Sequence, residues 1–66
     1  MSLLNTSANI AAADDFYGSL IRLHDGRKIE DSMRINARLI LILANHVGDK
    51  DILEQALRLA AGNSLK

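Results

Sequence analysis

The side chains that could carry out chemistry in this chain are two histidines, a few serines and scattered carboxylates. His24 and His46 are the only histidines, and the chain contains no cysteine. A zinc site needs three or four ligands, and neither His-x-x-x-His nor Glu-x-x-His spacing occurs. We therefore expect no metal centre.

Nucleophilic catalysis requires a serine, cysteine or lysine that a neighbouring base activates. Ser19 and Ser32 have no sequence context that indicates activation, and the paired Asp14 and Asp15 are typical of a helix start. The four glycines are isolated, so no phosphate-binding loop is present. We expect no catalytic residues, no cofactor-binding residues and no enzymatic activity.

Length and composition favour a small helical domain that associates with another chain. Sixty-six residues allow one domain, which buries only about 60% of its unfolded surface. Such domains usually add disulfides, a metal or oligomerisation, and without cysteines the last remains. Hydrophobic residues make up 48% of the chain and aromatic residues only 3%, with no proline, which favours helices over sheets.

The charge balance and the hydropathy pattern limit the classes of partner that we expect. Eight basic and eight acidic residues give no basic excess for nucleic acid. The longest apolar run, residues 39–44, is far shorter than the roughly 18 residues needed to cross a bilayer. No signal-peptide pattern is visible, so we expect a cytoplasmic protein with no nucleic-acid or membrane partner.

Apolar spacing predicts three helices. The first spans about residues 13–24 and ends before Gly26; the second starts near 29–32 and ends at residue 47, before Gly48. Asp49 is the expected N-cap of the third, which Gly62 ends. The prediction is an all-α fold, a small three-helix bundle built from a helical hairpin and an N-terminal helix. Residues 12–62 form the domain, 1–11 a flexible tail and 63–66 a C-terminal tail.

The second predicted helix is apolar on nearly every side, so it needs cover all round. One line of residues repeats with alternating spacings of four and three, as in a coiled coil; we call this line the seam: Ile29, Met33, Asn36, Ile40, Leu43 and Val47. We expect the other helices to cover the seam and at most one flank, and we expect the second flank to need a partner. An imperfect amphipathic helix with scattered surface leucines is the alternative.

Polar residues of this helix suggest two further contacts. Glu30 and Arg34 have the spacing of an exposed ion pair. Asn36 interrupts the apolar seam, where an unpaired amide costs about 1–3 kcal/mol. It either sets the register between symmetry-related copies or bonds a backbone carbonyl at the end of a neighbouring helix.

Three segments of the sequence resemble a family of very short proteobacterial proteins that is classed as a domain of unknown function. They are Asp14-Asp15-Phe16-Tyr17, Asn36-Ala37-Arg38-Leu39-Ile40-Leu41 and Leu43-Ala44-Asn45-His46-Val47-Gly48-Asp49. The similarity covers roughly residues 14–60. Genes of that family often lie near FAD-dependent aromatic-ring hydroxylases, which implies an accessory subunit of an oxidoreductase. The resemblance establishes no catalytic residues. If its motif is a binding surface, it points to Asn36, Arg38, Asn45 and His46.

We therefore expect a non-catalytic interaction protein that needs no cofactor. Its leading role is a small accessory subunit of a larger, flavin-dependent oxidoreductase, and the alternative is a self-contained homo-oligomer. A DNA-binding regulator is third, because the second and third helices form a rough helix-turn-helix while acidic residues at the start of the third would repel phosphates. The predicted interface residues are Ile35, Asn36, Arg38, Leu39, Ile42, Asn45 and His46.

Overall fold

Three α-helices make up the regular structure of this protein. The computed structural model describes residues 3–63, in which α1 is Ala13–His24, α2 is Ile29–Val47 and α3 is Lys50–Ala60. No strand occurs between residues 3 and 63, so the prediction of a small all-α three-helix fold is confirmed. Residues 1–2 and 64–66, which belong to the two predicted tails, lie outside the described residues. Within the described range no helix is both long and apolar enough to cross a bilayer; α2, with 19 residues, has the length but not the apolarity.

The sequence signals at the helix ends act as predicted. Gly48 ends α2 in the left-handed conformation, with φ 68°, and its N–H donates to the Ala44 carbonyl. The Asp49 side chain caps α3 by accepting a hydrogen bond from the Ile52 N–H at 3.2 Å. Gly26, with φ 72°, follows the end of α1 in the same left-handed conformation. Glycine adopts these positive φ values without the steric penalty that a Cβ brings.

Both α1 and α2 begin without a side-chain cap, and α1 also begins with an unfavourable backbone conformation. Ala12 precedes the helix in the left-handed conformation, with φ 52° and ψ 49°, and α1 has no side-chain cap. A non-glycine residue pays about 1–2 kcal/mol for that conformation. The Ala12 carbonyl still accepts the first helical hydrogen bond, from Phe16 N at 3.2 Å.

The helices are loosely packed. None of residues 3–63 is buried, and the radius of gyration is 13.7 Å, against about 11 Å for a compact domain of this length. The accessible surface is 5867 Å², against about 4100 Å² for a compact protein of this mass. Exposed residues of the N-terminal segment 3–12 and exposed faces of the three helices both contribute to this excess.

The covered face of α2 is not the predicted one. Ser32, Ile35 and Leu39 are half-buried, whereas the seam residues Ile29 and Met33 are 73% and 65% exposed. The prediction that the neighbouring helices cover the seam was therefore wrong. Periodicity could not locate the covered face because α2 is apolar on almost all sides.

The N-terminal segment contacts the far end of the chain. The Leu4 N–H donates to Gln55 Oε1 in α3 at 3.1 Å, and Leu4 is half-buried. Leu3 and Ile10 are exposed. No sequence pattern indicated this contact, because one hydrogen bond across fifty-one positions leaves no periodic signal. Flexibility of the segment stays a prediction.

Candidate partner-binding surface

Three polar side chains, His24, Ser32 and Asn36, connect α1 to α2; we call them the polar clip. His24 Nδ1 lies 2.8 Å from Ser32 Oγ, and His24 Nε2 lies 2.9 Å from Asn36 Oδ1. An amide oxygen only accepts, so Nε2 donates to Asn36, and in a neutral ring Nδ1 accepts from the Ser32 hydroxyl. The partner of Asn36 is thus a side chain of the same molecule. The predicted bond to a backbone carbonyl is therefore not the one that Asn36 makes within the described chain, and a contact of Asn36 between copies stays a prediction.

The polar clip brings together a hydroxyl, an imidazole and an amide, the residue types of a nucleophile, its base and an orienting group. Catalysis also needs a concave site beside the nucleophile. Neither the cavity lined by the N-terminal segment nor the cavity between α2 and α3 is lined by a residue of the clip. The arrangement fits a structural connection between two helices. Sequence reasoning missed it because the three residues become neighbours only when α1 folds back.

An apolar groove of about 530 Å³ lies between the C-terminal half of α2 and α3. Leu53, Ala44 and Ala56 are half-buried in it, while Leu41 is 70% exposed at its edge. Every lining residue is aliphatic: Ile40, Leu41, Leu43, Ala44, Val47, Leu53, Ala56, Leu57 and Ala60. Sequence reasoning did not predict this groove, whose signal is the small pair Ala56 and Ala60 one turn apart.

The seam has one half that lines the groove and another half that lies outside it. Ile40, Leu43 and Val47 line the groove, whereas Ile29 and Met33, which we call the ridge, lie before it on the same line of α2. No residue before Ile40 lines the groove. The exposed seam therefore has a projecting half and a recessed half.

The predicted interface residues differ in their exposure. Ile35 and Leu39 are half-buried on the covered face, and Ile42 is 65% exposed. The polar members of the set are exposed; of these, only Asn36 hydrogen-bonds within the described chain: Asn36, Arg38, Asn45 and His46. That all seven residues contact a partner stays a prediction.

Charged side chains add little to this surface. Arg34 pairs with Asp31 at 3.0 Å, not with Glu30 as its spacing suggested. Both partners are at least half exposed, so the pair contributes between zero and about 1 kcal/mol. No three His, Asp or Glu side chains between residues 3 and 63 come close enough together to hold a metal ion.

Comparison with known proteins identifies a family and no individual relative. Neither the curated proteins nor the solved structures gave a match. Residues 4–62 match the model of a family described as "Protein of unknown function (DUF2783)". Because this match spans α1, α2, α3 and most of the N-terminal segment, the chain belongs to that family.

Proposed function

We propose that this protein is a non-catalytic interaction protein that buries the seam and the groove against a partner. The observation that supports this most directly is the exposure of apolar side chains along the seam and the groove: each of Ile29, Met33, Ile40, Leu41 and Leu57 is at least 60% exposed. At about 25 cal/mol per Å² of apolar area, covering each contributes on the order of 1 kcal/mol. The sum is comparable to the net stability of a small domain.

The size of the uncovered surface also supports the proposal. The accessible area of 5867 Å² exceeds the value for a compact protein of this mass by about 1700 Å². One partner in a standard protein–protein interface contributes about 800 Å². The excess accessible area is about twice what one partner contributes to such an interface, so it can include both the N-terminal segment and a binding surface.

The non-catalytic part of the proposal is tested on the polar clip. We expect purified protein and the Ser32→Ala variant to hydrolyse an activated ester at the same rate, equal to that of buffer containing free imidazole at matched concentration. Hydrolysis by the wild-type chain that is lost in Ser32→Ala would contradict it. A stability measurement on both proteins confirms that they are folded.

The partner classes within this proposal are a second copy and a larger enzyme subunit in the cytoplasm. The resemblance described above favours a flavin-dependent oxidoreductase as that enzyme. Tagged protein with the native sequence serves as bait in native cell extract, and a bait carrying Ile40→Lys, which places a charge in the groove, serves as control. We expect the native bait to retain the oxidoreductase, identified by its flavin absorbance and by mass spectrometry, and the control to lose it.

The interaction proposal fails under one clear combination of results. The isolated chain would have to stay monomeric at all concentrations, with cooperative unfolding, while both baits retain the same proteins. A monomer of this kind would be stable without burying the exposed surface that supports the proposal.

A further inference from the structure

Resting on the proposed function, we infer that a second copy of this chain covers the seam, in an antiparallel α2–α2 dimer. In this dimer the ridge of each copy lies in the groove of the other. The two-fold axis passes α2 near the level of Arg38, midway along the seam. The interface is isologous, so one contact made by the chain is repeated by symmetry.

The spacing of the seam supports antiparallel pairing. Its six residues follow one another at intervals of four, three, four, three and four. Reversed, the series is unchanged, so in antiparallel pairing Ile29 lies level with Val47 of the second copy, Met33 with Leu43 and Asn36 with Ile40. Each pair joins the two alternating core positions of a coiled coil, which is the pairing that antiparallel helices make.

The shape of the surface supports a second copy over an unrelated helix. Val47 and Leu43, which lie level with Ile29 and Met33 of the second copy, line the groove between α2 and α3. α3 forms a wall beside only that half of the seam, whereas Ile29 and Met33 in the other half are 73% and 65% exposed. The chain therefore carries both a projection and a recess, placed at equal distances from the proposed axis.

Charge and polarity do not oppose the pairing. At 100° per residue, Arg34 and Arg38 lie on the side of α2 opposite the seam, and the chain has no net formal charge to separate two copies. Asn36 is the one polar residue of the seam, and its Oδ1 already accepts the bond from His24. It enters the interface without an unpaired acceptor.

The first experiment measures mass against concentration by sedimentation equilibrium of the full chain. We expect a mass twice the chain mass of 7.2 kDa, and at least about ten-fold weaker dimerisation for Met33→Lys. Ile42→Lys is a matched control, because Ile42 is also 65% exposed on α2 but lies away from the seam. We expect Ile42→Lys to dimerise like the wild-type chain, and circular dichroism shows whether each variant keeps its helices.

The second experiment determines orientation and does not depend on a destabilising charge. The chain has no cysteine, so Met33→Cys and Leu43→Cys each introduce a single thiol. We expect a mixture of the two variants to oxidise to the mixed disulfide, because antiparallel pairing places these positions level with each other. Disulfides formed mainly between identical variants would indicate parallel pairing and overturn the inference.

The outcomes separate this inference from the proposed function. A monomeric chain whose groove-dependent capture of an enzyme persists would overturn the dimer and leave the proposed function standing. A dimer disrupted by Ile42→Lys and not by Met33→Lys would place the interface on the side of α2 that carries Ile42, away from the seam, and overturn the inference. A trimer or higher assembly would also overturn it, because the two-fold pairing leaves no seam uncovered.

Discussion

At the scale of single residues, the polar clip is the best-defined contact between helices. His24 uses both ring nitrogens, one toward Ser32 and one toward Asn36, at 2.8 and 2.9 Å. Because none of residues 3–63 is buried, few apolar contacts share the task of holding α1 against α2. The orientation of α1 therefore depends on hydrogen bonds more than is usual in a small domain.

Replacing His24 with alanine tests this dependence. We expect His24→Ala to lower the free energy of unfolding by about 1–2 kcal/mol, since each neutral hydrogen bond contributes about 0.5–1.5 kcal/mol. The matched control is His46→Ala, a second histidine near a helix end, exposed and without a hydrogen bond to another described residue. We expect it to change stability by less than about 0.5 kcal/mol. Urea unfolding of both variants measures the difference, and equal effects would contradict a structural role for the clip.

Gly18 is a second residue whose environment predicts a measurable effect. It lies inside α1, and a Cβ added there would meet only the flexible end of Arg22, with Nη1 at 3.3 Å. No backbone approach requires the glycine, so Gly18→Ala should stabilise the protein by about 0.5–1 kcal/mol. The same change at Gly26, where φ is 72° and nothing lies within 4 Å, should instead destabilise by about 1–2 kcal/mol. Thermal unfolding that shifts in the same direction for both would contradict this account.

At the scale of elements, α3 forms one wall of the groove, and its start is fixed by Asp49. We expect Asp49→Ala to lower stability by at least about 1 kcal/mol, because the Ile52 N–H loses its side-chain acceptor. Asp49→Asn keeps a cap of similar strength and should restore most of the loss. Helicity from circular dichroism and the unfolding midpoint measure both. A large loss in Asp49→Asn would show that the charge of Asp49 matters more than the cap.

The elements were predictable from the sequence to a greater extent than their arrangement. Gly26, Gly48 and Asp49 act at the helix ends as predicted, because caps and left-handed glycines are local features that a few residues determine. The face of α2 that packs inward was not predictable, since an almost uniformly apolar helix has no preferred side. The polar clip and the α3 wall of the groove depend on how helices meet, which local patterns do not encode.

At the scale of the whole molecule, we expect the low burial to make stability depend on association. If a dimer supplies the missing cover, each ten-fold dilution lowers stability by about 1.4 kcal/mol, which corresponds to about 3–5 °C in Tm for an assembly of this size. Calorimetry across a concentration series measures this shift. We expect Met33→Lys to reduce the slope, and a Tm that is independent of concentration in the wild-type chain would contradict association.

Gly48 and Asp49, the two residues between α2 and α3, have one more consequence. Because this linker is so short, the orientation of α3 about its own axis is coupled directly to that of α2. One inserted residue would turn α3 by about 100° about its axis and swing Ala56 and Ala60 out of the recess. Variants with a longer or shorter linker would thus change which side of α3 a neighbour meets without replacing any residue of α3.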